Sequence, residues 1–149
     1  MLYLDGDPPV VYPPAMPRQV SEHVPAAIRE EAHDAQRCLV NGIWRPAALM
    51  ARRALEAACD DKSGGQATGM LAAKLKWLKE NALITNRLYE QAEPLRVVGN
   101  SAAHGGPEIT EDDAITTLEV LRRVLEALYD DEKIGDDVKA KHAYVKKKP

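Results

Sequence analysis

Between Ile115 and Leu128 the apolar residues return every three or four positions, as Ile115, Leu118, Leu121, Leu125 and Leu128. At about 100° per residue that spacing lines them along one side of a helix, and such a stripe is stable only when it is covered. No stretch of the chain alternates with period two for long enough to predict a strand. The fold class expected is all-α: a bundle of four to five helices joined by polar connectors, preceded by an extended proline-rich segment.

Local chemistry sets the expected helix limits. The first helix is predicted from near Val24 to Asn41-Gly42, with Pro25 at its first position and Glu30 and Glu31 toward its positive end. Its apolar stripe is Ala27, Ile28, Ala32, Ala35 and Leu39. The second runs from about Arg45 to Lys62 and is lined by Ala47, Ala48, Ala51, Ala54, Leu55 and Ala58. So many alanines imply close helix–helix approach, because small side chains let two backbones come together. Ser63–Gly69 reads as a flexible connector, and it lacks the Gly-Lys-Ser/Thr ending of a phosphate-binding loop.

A third helix is expected from Met70 to Asn81 on Leu71, Leu75 and Leu78, with Trp77 beside them. Leu83–Glu93 reads as a short helix or turn. Pro94 then opens a fourth helix that stops at Gly105-Gly106-Pro107. Thr110 and Asp113 have the spacing of a capping box at the start of the longest helix, which is expected to end near Lys133.

Three regions follow. Residues 1–20 hold Pro8, Pro9, Pro13, Pro14 and Pro17 and read as an extended arm. Residues 21–133 form the helical domain, and 134–149 a basic, mobile tail. That tail carries five lysines against two aspartates, so it is positive while the remainder of a chain of net charge −3 is acidic. The overall charge gives no electrostatic case for strong duplex binding. No apolar run is long enough to span a membrane, and the first ten residues have no signal-peptide pattern. Cys38 and Cys59 are too few for a disulfide framework or a four-cysteine zinc site, and they suit buried thiols in the cytoplasm. His23, His33 and the two cysteines have no metal-ligand spacing; no metal and no organic cofactor is implied.

The informative stretch is Leu95–His104. Arg96, Asn100 and His104 are four residues apart, so on a helix they fall within about 80° of one another. A guanidinium, an amide and an imidazole on one face suit a phosphate: Arg binds it bidentately, Asn orients it, and His exchanges a proton near neutral pH. The same residues also suit a polar helix end that bonds the backbone of the next loop. Arg52, Arg53 and Glu56 form a supporting constellation. Glu56 is placed either to pair with Arg52 at i,i+4 or to reach Arg96 across the bundle. Trp44 and Trp77 read as core or interface anchors, and Lys146-Lys147-Lys148 as a solvated end.

Arg96-x-x-Gly99-Asn100-x-x-Ala103-His104, preceded by Arg53-Ala54-Leu55-Glu56 and followed by Asp113-Ala114 and Leu128-Tyr129, resembles the domain of unknown function 4145. The resemblance covers roughly Val20 to Tyr129, and that family falls in the HEPN-like superfamily of helical bundles. It implies dimerisation through the bundle, association with bacterial or phage defence and toxin systems, and RNA as a partner. Active HEPN-like proteins are metal-independent endoribonucleases in which a His moves a proton and an Arg stabilises charge at the RNA backbone. Their Arg and His stand closer together than the seven residues that separate Arg96 from His104, and Gly99 stands directly before Asn100 where an Arg would be expected. The resemblance therefore implies two readings. One is an RNA-engaging homodimer with Arg96, Asn100 and His104 as catalytic residues. The other is a non-catalytic module, for dimerisation or for a partner protein, in which the same three residues close a helix.

Overall fold

The computed structural model describes residues 20–93, 95 and 108–147. Its elements are α1 (Ala26–Val40), α2 (Trp44–Ser63), α3 (Leu71–Glu80), α4 (residues 86–93), α5 (Glu111–Leu125), a π-helical turn (Glu126–Asp130) and α6 (Asp131–Lys147). No strand occurs among the described residues, so the all-α expectation holds.

Helix α2 is the centre of the bundle, packing against α1, α3 and α5. The reason is its inner face: Ala47, Ala51, Ala54, Leu55, Ala58 and Cys59 are all fully buried. Alanine side chains end at Cβ, so the facing helices close on the backbone of α2, and the larger residues of its neighbours fill the space. Those neighbours supply Ile28 and Leu39 from α1, Leu71, Leu75 and Leu78 from α3, and Leu118, Leu121, Val124 and Leu125 from α5. Trp44 and Trp77 are half-buried against this core, as anchors would be.

The helix ends follow their chemistry. Gly64 adopts φ +60° at the C-cap of α2, a left-handed conformation that glycine reaches without a Cβ clash. The capping box of α5 is complete. The Asp113 amide donates to Thr110 Oγ1 (3.2 Å), and the Thr110 amide donates to Asp113 Oδ2 (3.0 Å).

Several limits differ from the sequence expectation. Pro25 is the N-cap of α1 and not its first helical residue, which leaves Glu30 and Glu31 beyond the first turn. Helix α4 begins at residue 86, inside the Leu83–Glu93 segment expected as a short helix or turn, and Pro94 lies outside the described residues. Its start is set by Thr85, whose Oγ1 accepts from the Leu88 amide (3.1 Å). The last helix does not end near Lys133. Helical torsions persist through Glu126 and Asp131, and the chain stays helical to Lys147. The proline-rich residues 1–19 lie outside the described residues.

Ala51→Leu tests the α2 packing. Forcing an isobutyl group into a fully buried alanine site should destabilise the bundle by about 1–3 kcal/mol in urea unfolding. A neutral result would mean that the helices around α2 are not in close contact there.

Candidate functional site

Arg96, Asn100 and His104 lie outside the described residues. Their flanks are anchored. Ala92 and Leu95 are buried in the main core, and Ile109 packs with Ala48, Trp44 and Leu49 in a second, smaller cluster at the start of α2.

The supporting constellation is described. Arg52 Nε lies 3.0 Å from Glu56 Oε1, the i,i+4 pair that the spacing offered. Arg53 reaches the neighbouring helix α1 and pairs with Glu31 at 3.1 Å. That cross-helix contact was not legible from the sequence, because nothing local sets the azimuth at which α1 meets α2. Both arginines thus have carboxylate partners on the bundle itself.

A second cluster, which the sequence reading passed over, stands where α2 meets the π turn. The Tyr129 hydroxyl donates to Asp61 Oδ2 at 2.7 Å, and Lys62 Nζ sits 4.5 Å above the Tyr129 ring. Lys62 also pairs with Glu132, the second residue of α6. Burial, followed by the hydrogen bond to Asp61, pushes the Tyr129 phenol well above its ordinary range, so it remains a neutral donor. The only sequence signal was the Leu128-Tyr129 pair at the end of an otherwise aliphatic stripe.

An open groove runs beside this cluster, lined by Lys62, Lys79, Asn86, Arg123, Glu126 and Asp131 among others. Its cations are engaged. Lys79 stands 4.5 Å over the Tyr89 ring, and Arg123 pairs with Glu119 and lies 3.4 Å from Gln91. At the same end of α2, Lys74 pairs with Asp60 at 2.6 Å and ties α3 to α2. The adjacent Cys59 thiol is pushed up to about 12 by burial, which keeps it from acting as a thiolate nucleophile at neutral pH. No group of three or more potential metal ligands occurs among the described residues. No helix among them is long and apolar enough to cross a membrane.

What this arrangement does chemically is fix the root of α6. Tyr129 and Lys62 hold the π turn against α2, and among the described elements α6 has its substantial contacts with that turn. Residues 131–143 are exposed except for half-buried Gly135.

Both Cys59 and Tyr129 keep their protons more tightly in the folded chain than in the unfolded one. Their contribution to stability is complete below the ordinary thiol and phenol values, and it declines as pH rises from about 9 toward and beyond 12. Urea unfolding should show this alkaline loss. Tyr129→Phe should flatten it above pH ~10 and lower neutral-pH stability by about 0.5–1.5 kcal/mol through the lost hydrogen bond to Asp61. An unchanged alkaline slope in the variant would rule out the phenol as its source.

Comparison with curated proteins and with solved structures returned no match. Residues 33–148, well over half of the chain and including α6, match the model of the domain of unknown function DUF4145, and the chain belongs to that family.

Proposed function

We propose that this chain is a non-catalytic interaction module of the cytoplasm, a helical bundle that presents α6 to a partner helix. The observation that supports this reading is α6 itself. It leaves the bundle with Ile134 and Val138 61% and 60% exposed, one helical turn apart. A soluble helix that buries so little along residues 131–143 is not held by propensity alone, and this one contains Gly135, Asp136 and Asp137, all poor helix formers. In this reading Arg96, Asn100 and His104 close their helix structurally, Arg53 ties α2 to α1 through Glu31, and Arg52 and Glu56 pair within α2. The two free cysteines suit a reducing compartment.

If α6 serves a partner, the bundle should not need it. A chain ending at Asp130 loses an exposed Lys62–Glu132 pair and little else, so its unfolding free energy should fall by less than about 1 kcal/mol. Loss of cooperative unfolding in that shortened chain would make α6 a structural element and end this reading.

The Arg96–Asn100–His104 spacing favours a second reading, which rests on the likeness to HEPN-like proteins: an RNA-engaging homodimer of bacterial or phage defence or toxin systems. In it His104 transfers the proton, Arg96 and Asn100 hold the phosphate, and no metal is required. Incubation with mixed RNA in EDTA decides it. Cleavage by the wild-type chain, lost by about 100-fold or more in His104→Ala and Arg96→Ala at unchanged melting temperature, would make Arg96 and His104 catalytic. No cleavage, with His104→Ala destabilising by about 1 kcal/mol or more, is the outcome expected of a structural helix end.

A further inference from the structure

We propose that the partner of α6 is a second copy of α6, paired antiparallel about a two-fold axis near Val138. This rests on the reading of α6 as a docking helix and names its occupant.

The charge pattern argues it. Residues 131–137 hold four carboxylates and one lysine; residues 138–147 hold four lysines and no carboxylate. An antiparallel pair sets the acidic half of each helix against the basic half of the other, and it opposes their macrodipoles favourably. A parallel pair would set like against like. Lys139 and Lys141 make no ion pair among the described residues, whereas Lys133 is held within its own helix by Asp137 at 3.1 Å.

The apolar stripe of α6 is not aimed at its own bundle. Counted from Leu125 at about 100° per residue, Ile134 lies about half a turn from the core-facing side of α5. The one-residue underwinding of a π turn shifts the register by about 100° and leaves it about 80° from Leu125, an angle at which Ile134 is 61% exposed. A Cβ at Gly135 would meet nothing within 4 Å, so no contact among the described residues accounts for that glycine.

Helix α6 is 17 residues long, about 25 Å, so two copies bury a small interface. The pair is therefore weak and depends on its charges. An isologous contact of this kind closes at two chains, and it lies on a different surface from the bundle faces.

Sedimentation equilibrium of the full chain, up to about 0.5 mM, tests this. A monomer–dimer equilibrium is expected at about 0.05 M NaCl, weakened at least tenfold at about 1 M. Lys139→Glu with Lys141→Glu should weaken self-association at least tenfold, as should Asp136→Lys with Asp137→Lys. Mixing the two variants should restore a heterodimer. Orientation is read by oxidative cross-linking in a Cys38→Ser background. With the axis at Val138, Ile134 stands level with His142 of the partner subunit. Ile134→Cys should therefore cross-link to His142→Cys in preference to itself. A chain that is monomeric throughout, a dimer indifferent to salt and to both charge variants, or preferential Ile134→Cys self-linkage would each overturn the proposal. None of these would touch the reading of α6 as dispensable to the bundle, which fails only if the chain ending at Asp130 does not fold.

Discussion

Everything in this fold is arranged around the alanine face of α2. Ala47, Ala51, Ala54 and Ala58 give neighbouring helices little side chain to grip, so the stability of the contact comes from how closely backbones and larger facing residues approach. Packing of that kind tolerates deletion poorly and enlargement worse, since the facing side has no room to retreat. It also makes α2 the reference frame for the rest. The Asp60–Lys74 pair, the Arg53–Glu31 pair and the Tyr129–Asp61 hydrogen bond each start from α2 and fix α3, α1 and the π turn respectively.

How much of this the sequence disclosed depended on whether the signal was local. Apolar periodicity and the Thr110–Asp113 box were enough to find α5, because stripe and cap lie within a few residues of one another. The same holds for Arg52–Glu56, an i,i+4 pair on one helix. Leu83–Glu93 was legible only as a short helix or turn, because Thr85 caps α4 without the acidic partner three residues on that makes a box. The Tyr129–Asp61–Lys62 cluster was beyond reach, since its members stand 68 positions apart and are joined only by the packing of α2 on the π turn. Of the sequence-derived site, Arg52, Arg53 and Glu56 stand in ion pairs, while Arg96, Asn100 and His104 fall outside the described residues.

The end of α5 was misjudged for a reason that bears on function. Beyond Lys133 the sequence loses its core-facing stripe, and that loss reads as the end of a helix. What ends is burial and not helicity: Leu128 and Tyr129 are the last residues described as buried, yet the backbone stays helical for the 17 residues of α6. A pattern rule built on one face packed against one core has no term for a helix whose covering surface lies elsewhere.

Charge segregation along such a helix contributes little to the stability of a single chain. Exposed pairs at i,i+4 are worth tenths of a kcal/mol, and separating acids from bases forgoes most of them. In α6 the one such pair among the described residues is Lys133–Asp137, and the four C-terminal lysines have no carboxylate within their own half. Grouping like charges on a single helix carries a small penalty, which is offset when a surface of opposite order lies alongside. A second α6 running the other way has that order by symmetry, whatever the sequence, as long as the two halves differ in sign. The apolar pair Ile134 and Val138 then sets how firmly the helices meet, and the charges set which way they run.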